Sequence, residues 1–363
     1  MAVELRRLVR SIGPDRRAHK CGRPSTPVRR CLFQGTCNDL QRTFSSSAEP
    51  AAQQPWRAPR LAEDLILDRS LDAEAGRVVA LTPLIRRVIA GNASPFTFTG
   101  TCTYIVGRGT VAVIDPGPES PGHLAVLLGA LRGESVSHIV VSHTHKDHSP
   151  GARALKALTG GRIVGCGPHR AARDLALGEA NRLDASADHD HAPDAIMAEG
   201  DAVSGPGWSL AAVPTPGHTV NHLAFALREE QSLFSADHVM AWSTTIVAPP
   251  DGSMSTFMAS LDKLRGRHET IYWPGHGGPV REPARFVRAL VTHRKLREAS
   301  ILNRVREGDR SIAAIVARVY EGLPPALHGA AALSAFAHIE DLVARGLVRC
   351  DGAPTLDAVF EPA

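Results

Sequence analysis

The hexapeptide His143-Thr144-His145-Lys146-Asp147-His148 constrains this chain more than any other feature. It sets three imidazoles and one carboxylate in a single short loop. The run HIVVS that leads into it is apolar and β-branched, and reads as a short buried strand. A buried strand ending in a ligand-dense loop is how a rigid scaffold presents a site. On extended backbone alternate residues point the same way, so His143 and His145 can face one metal ion. Asp147 and His148, after the chain turns, can face a neighbouring ion. Imidazole nitrogen and carboxylate oxygen are donors that zinc favours, and an open zinc site keeps room for water.

The surrounding sequence repeats this arrangement. TYIVGRGTVAVIDPG (Thr103 to Gly117) reads as two apolar strands joined by a Gly-Arg-Gly turn. HLAVLLGALRG and GARALKALTG have helical spacing with a glycine stop, and RIVGC is another strand. Strand and helix alternate, which predicts an α/β domain. Three more strands end in a potential ligand: His218 in PTPGHT, Asp237 in LFSAD and His276 in YWPGHG. The polar stretch 178–195, with Asp188-His189-Asp190-His191, has no strand leading into it and is expected to be a solvated loop.

Residues 283–363 change character. A long helical segment (Ala284 to Glu307) is followed by SIAAIVARVY, AALSAFAHIEDLVARG, and LVRC before a turn at Asp351-Gly352. Three helices and a small hairpin predict a winged-helix-like module. Few basic residues cluster there. Arg345 and Arg349 lie near the hairpin with Glu340 and Asp341 alongside, so a packing or dimerisation role is the expectation.

Residues 1–60 differ from both. They carry twelve of the 41 Lys/Arg and four of the 37 Asp/Glu, so the remainder, with 29 basic and 33 acidic residues, is mildly acidic. A broad basic surface for nucleic acid is not evident from that balance. The arm is Arg-, Ser- and Pro-rich without periodicity, and it lacks the apolar core of a secretory signal. It is expected to be a disordered extension, with a mitochondrial transit peptide ending near RTFSSSA as the alternative. The corresponding localisations are the cytoplasm and the mitochondrial matrix. No apolar run is long enough to span a bilayer. The cysteines at 21, 31, 37, 102, 166 and 350 match no zinc-ligand spacing, and free thiols in a reducing compartment are expected. The expected division is therefore 1–60, a hydrolase domain over 61–282, and the module over 283–363.

The order HxHxDH, GHT, strand-end Asp and GH resembles that of the metallo-β-lactamase fold superfamily, over roughly Thr103 to Pro279. The GHG turn followed by VTHRKLREASIL and the helical tail is similar to the beta-lactamase-like protein 2 group. The resemblance implies a four-layered αββα sandwich with two metal ions, taken as Zn2+, along one edge. It implies that His143, His145 and His218 bind the first ion. Asp147, His148 and His276 would bind the second, with Asp237 bridging. The chain departs from the common pattern at Cys102, in SAD and in SPG, and none of these changes removes a ligand. A hydroxide shared by two metals would then attack a carbonyl carbon or a phosphorus, with Asp147 orienting the nucleophile or moving a proton.

Three functions follow from this reading. The first is hydrolysis of a small-molecule ester or thioester, in keeping with the acidic body and with the fungal thioesterases of the group. The second is endoribonuclease action on single-stranded RNA, which the animal members imply. The third is a nucleic-acid-binding regulator with a vestigial site, against which the intact ligand set argues. His222 and His238, each beside a proposed ligand, are expected to support or pack the site. Cys102 and Cys166 are expected to be buried small hydrophobes.

Overall fold

The computed structural model describes residues 65–177 and 179–363, so the expectations for the N-terminal arm lie outside the described residues. The first sheet is a run of consecutive strands: β1 (Val78–Ala80), β2 (Ile85–Ile89), β3 (Cys102–Arg108), β4 (Thr110–Ile114), β5 (Ser135–Val141), β6 (Arg162–Gly165) and β7 (Ala195–Ile196). The pairs from β1 to β4 are antiparallel, and those from β4 to β7 are parallel. Parallel neighbours need crossovers, and helices α1 (Pro121–Ala130) and α2 (Gly151–Thr159) supply two of them. Ser120 caps α1 by accepting from the His123 N–H, and α2 stops at Gly160, in the left-handed region at φ 77°.

The second sheet holds β8 (Ala202–Gly205), β9 (Trp208–Pro214), β10 (Leu223–Leu227), β11 (Ser232–Ala236) and β12 (Ile271–Pro274), in the order β12-β11-β10-β9-β8. Only β11 and β12 run parallel, and helix α3 (Met254–Arg265) forms that crossover. The period-two alternation of β10 separates the layers. Leu223, Phe225 and Leu227 face the first sheet and join its core. Ala224 and Ala226 face α3 and the long helix α4 (Pro283–Arg306), beside Phe257, Leu261, Val287 and Leu290. Small residues on that side let the helices lie close to the sheet. The result is the expected four-layered αββα sandwich.

Helix α4 serves two cores. Val287, Leu290 and Val291 near its start pack on the second sheet, whereas Ile301 and Val305 near its end join a third cluster. That cluster contains α5 (Ile312–Val319), α6 (His328–Ala344) and the small pair β13 (Val348–Arg349) and β14 (Glu361–Pro362). The three helices and hairpin predicted from the sequence are thus present. Among the described residues no helix is long and apolar enough to cross a membrane.

Candidate metal centre

All seven predicted ligands lie at carboxyl ends of strands, where an α/β sheet presents its site. His143, His145, Asp147 and His148 follow β5 of the first sheet; His218, Asp237 and His276 follow β9, β11 and β12 of the second. β5 is flanked by strands on both sides, so its end is a fixed point. Beyond it the chain closes into a turn in which the His145 carbonyl accepts from the N–H groups of His148 and Ser149, at 3.0 and 3.1 Å. Gly151 lets α2 start directly behind this loop, because a Cβ there would stand 2.6 Å from the Pro116 carbonyl oxygen.

Two donor groups result. In the first, His145 Nδ1 lies 3.1 Å from His143 Nε2 and 3.0 Å from His218 Nε2. Nitrogens arranged tetrahedrally around an ion at about 2.0–2.1 Å sit about 3.3 Å apart, so these spacings suit a shared cation. In the second, Asp147 Oδ2 lies 3.1 Å from His276 Nε2 and 3.3 Å from His148 Nε2. Asp237 stands between the groups. Its Oδ2 is 3.7 Å from His218 Nε2 and 3.4 Å from His276 Nε2, and its Oδ1 is 3.5 Å from His148 Nε2.

The hydrogen bonds behind the rings decide which nitrogen is free. His218 Nδ1 donates to the Ile246 carbonyl at 2.6 Å, and His276 Nδ1 donates to the Gly100 carbonyl at 3.3 Å. His148 Nδ1 donates to Asp115 Oδ2 at 3.0 Å. The Ser142 hydroxyl donates to the same carboxylate at 2.7 Å, so its oxygen accepts from His143 Nδ1 at 2.9 Å. Four imidazoles therefore turn an Nε2 lone pair toward the centre, each anchored from behind as metal-bound histidines are. His145 points its Nδ1 inward, and among the described residues its Nε2 has no protein partner.

Charge separates the groups. Burial lowers the pKa of His143, His145 and His218, to about 3 for His145, so the first group is three neutral imidazoles. Burial acts the same way on His148 and His276, but Asp147 and Asp237 outweigh it. Both histidines are raised, His276 to about 9. Burial also opposes the charge on the two carboxylates, and the facing imidazoles reverse that and hold them well below the usual range. The second group thus draws positive charge to one point, which a proton or a divalent cation can fill. The donor chemistry, the spacing and the fixed tautomers fit a pair of metal ions.

Several contributors were not read from the sequence as part of the site. Asp115, at a left-handed φ of 47°, also accepts from the Ser142 N–H at 2.8 Å and so orients one histidine in each group. It lies close enough to His143 and His148 to form a third donor group, but its oxygens are occupied by these bonds. The DPG turn was the only signal. Replacing Asp115 by asparagine would set an amide N–H against a donor. Metal affinity is expected to fall about 10–100-fold in competition with a chromophoric chelator. Unchanged affinity would remove Asp115 from this role. Asn92 and Thr101 form a second support: Asn92 Oδ1 accepts from the Thr101 N–H at 2.9 Å, and the Thr101 hydroxyl donates to Asp147 Oδ2 at 3.1 Å.

His222 and His238 stay out of both groups, as expected. His222 Nδ1 meets Thr215 Oγ1 at 2.8 Å, and His238 packs on the Phe257 ring at 4.4 Å. Cys102 and Cys166 are buried free thiols. The expectation of a solvated 188–191 loop is corrected in part. Asp188 is buried, accepting from Ser149 Oγ at 2.6 Å and Arg153 Nη1 at 2.9 Å, and His191 is buried against Cys166. Arg153 of α2, Ser149 just before that helix and Cys166 just after β6 are the partners that draw these residues in, and only His189 of the two histidines is exposed. Thr144 points away from the ligands, and its hydroxyl meets Asn221 Nδ2 and His169 Nδ1 at 3.0 Å each. Both line a cleft of about 600 Å³ behind the loop, floored by Ile196, Met197, Pro214 and Leu223.

Comparison with known proteins identifies the family. The family described as Metallo-beta-lactamase superfamily matches residues 96–276, and the Beta-lactamase associated winged helix domain matches residues 311–355. A beta-lactamase-like protein 2 homolog of Drosophila melanogaster is 30% identical over 283 residues, covering 75% of this chain and 92% of that protein. An atrochrysone carboxyl ACP thioesterase of Paecilomyces divaricatus is 30% identical over 244 residues, covering 66% of this chain and 70% of that one. The crystal structure of a metallo-beta-lactamase family protein from Thermus thermophilus superposes with a TM-score of 0.64 at 21% identity, over 78% of this chain and all (100%) of that one. The family matches, the relative of 30% identity and the winged-helix tail together place the chain in the metallo-β-lactamase superfamily, to which it belongs.

Proposed function

We propose that the protein is a binuclear zinc hydrolase that cleaves an ester or thioester of a small molecule, with His143, His145 and His218 on one ion, Asp147, His148 and His276 on the other, and Asp237 between them. The observation that carries this reading is the convergence of five imidazoles and two carboxylates, four of the imidazoles held from behind so that Nε2 faces inward. Two divalent cations held there would supply Lewis acidity toward a carbonyl oxygen and toward a nucleophilic water. The chain's own residues do the rest. Asp147 is the more open of the two carboxylates, its side chain 27% exposed against 10% for Asp237. It is therefore the group placed to orient the attacking water and take its proton. Thr101 donates to Asp147 Oδ2 and holds it in position. Water adds to the acyl carbon, the bond to the ester oxygen or thioester sulfur breaks, and the proton passes to the leaving group.

Two observations support the acyl substrate over single-stranded RNA. Related fungal proteins are named as thioesterases, one of them as an atrochrysone carboxyl ACP thioesterase. Several basic residues of the C-terminal module, those beside its hairpin included, are paired with carboxylates. Arg345 pairs with Glu298 and Asp341, Arg349 and Arg310 with Glu361, and Arg304 with Glu307 and Asp309. A phosphate backbone needs such charges free.

The test is to measure metal content, then to assay a panel of acyl thioesters and esters beside a single-stranded RNA, before and after chelation. Two zinc ions per chain and acyl hydrolysis that is lost on chelation and restored by zinc are expected. RNA cleavage with no acyl hydrolysis would transfer the site to the nuclease reading, and activity that survives complete metal removal would overturn the mechanism.

A further inference from the structure

We infer that Arg294, on helix α4, is a positioning residue for the metal centre: its guanidinium holds the backbone segment that orients both His218 and Asp237. The inference rests on the metal centre proposed above and extends it to a part of the chain outside the matched hydrolase family, which ends at residue 276.

The connection runs through two adjacent residues. Arg294 Nη2 donates to the Thr245 carbonyl. The next carbonyl, that of Ile246, accepts from His218 Nδ1 at 2.6 Å and thereby turns His218 Nε2 toward the first donor group. The Thr245 hydroxyl donates to the Asp237 carbonyl at 2.6 Å and lies 3.1 Å from that of His238. One short segment thus sets the tautomer of a ligand in the first group and the backbone of the carboxylate between the groups. Arg294 is its anchor from the other side.

The anchor is rigid. Arg294 is 3% exposed, and its guanidinium carbon lies 5.1 Å from the centroid of the Phe257 ring. His238, directly after Asp237 in sequence, packs on that ring at 4.4 Å with the two planes tilted by 45°. Among the described residues no carboxylate lies within ion-pair distance of Arg294, and burial lowers its pKa to about 10. A buried cation bonded to a carbonyl is an expensive way to fill space, since an apolar side chain of similar length carries no desolvation penalty. What the guanidinium adds is direction: a planar donor fork fixes a carbonyl in a way that an apolar chain does not.

The test compares Arg294→Met, Arg294→Lys and Thr245→Val with the unaltered full-length chain, reading zinc affinity by chelator competition and the electronic spectrum of the cobalt-substituted protein. Val305→Ala is the control, because Val305 is buried in the C-terminal cluster and touches none of this network. Arg294→Met and Thr245→Val are expected to weaken zinc binding at least about tenfold and to alter the cobalt spectrum. Arg294→Lys should recover part of the loss, and Val305→Ala should stay within twofold. If Arg294→Met does not fold, Thr245→Val decides alone. Unchanged affinity and spectrum in the variants, or an equal loss in Val305→Ala, would overturn the inference. An unaltered chain that takes up no metal would instead overturn the hydrolase reading and this one with it.

Discussion

Replacing His143 and His145 together by alanine is expected to abolish turnover while the chain still folds. The two rings supply adjacent corners of the first donor group, and His145 Nδ1 is the atom nearest to both other nitrogens. Without them only His218 remains of that group, and one imidazole does not retain an ion. A fall in kcat/KM of at least about a thousandfold is expected, which is about 4 kcal/mol of lost transition-state stabilisation. The fold should persist, because β5 is held on both sides by β4 and β6 and the rings lie beyond its end. Elemental analysis should show a lost zinc, and circular dichroism should show unchanged secondary structure. Full activity in the double variant would end the metal-hydrolase interpretation.

The second large effect is expected from a single methyl group. A Cβ on Gly275 would stand 2.3 Å from Asp237 Oδ1 and 2.7 Å from His148 Cε1. Both neighbours are buried; His148 is held by its bond to Asp115 and the Asp237 carboxylate is ringed by His148, His218 and His276, so neither can retreat without leaving its place in the site. Gly275→Ala should therefore displace the carboxylate between the groups and a ligand of the second group at once. Zinc content is expected to drop toward one per chain, and activity by at least about a hundredfold. Overpacking should lower stability by about 1–3 kcal/mol. Gly129→Ala is the control: it lies within α1 with nothing within 4 Å of its would-be Cβ, and should melt at the same temperature or slightly higher. A Gly275→Ala protein with two zinc ions and full activity would show that the close packing is dispensable.

Much of this was legible because ligands and strands carry strong local signals. Each of His143, His218, Asp237 and His276 follows an apolar run that could only be a buried strand, and the order of these units matched a known family. The supporting groups had no such signal. Asp115 sits in a DPG turn that reads as punctuation, and its role depends on Ser142, 27 residues away. Arg294 lies on a helix rich in arginine and lysine, where nothing local separates a buried guanidinium from its solvated neighbours. Strands β1 and β2 also escaped separate identification. Their run RVVALTPLIRRVIAG carries Arg86 and Arg87, and Arg87 is buried in spite of its charge. Asp188 was misjudged for the same reason: its partners, Ser149 and Arg153, are distant in sequence and exposed only by the fold.

The donors are divided between two sheets, and each sheet is one unbroken stretch of chain, β1 to β7 and then β8 to β12. Ions bound between them would act as a clasp on the seam where the first half of the domain docks on the second. Each ion present at a hundredfold over its dissociation constant would add about 2.7 kcal/mol against separation of the halves. The tolerance of the fold to heat and to core substitutions would then depend on zinc supply, and metal starvation would reach the cell as a loss of folded protein as well as a loss of chemistry.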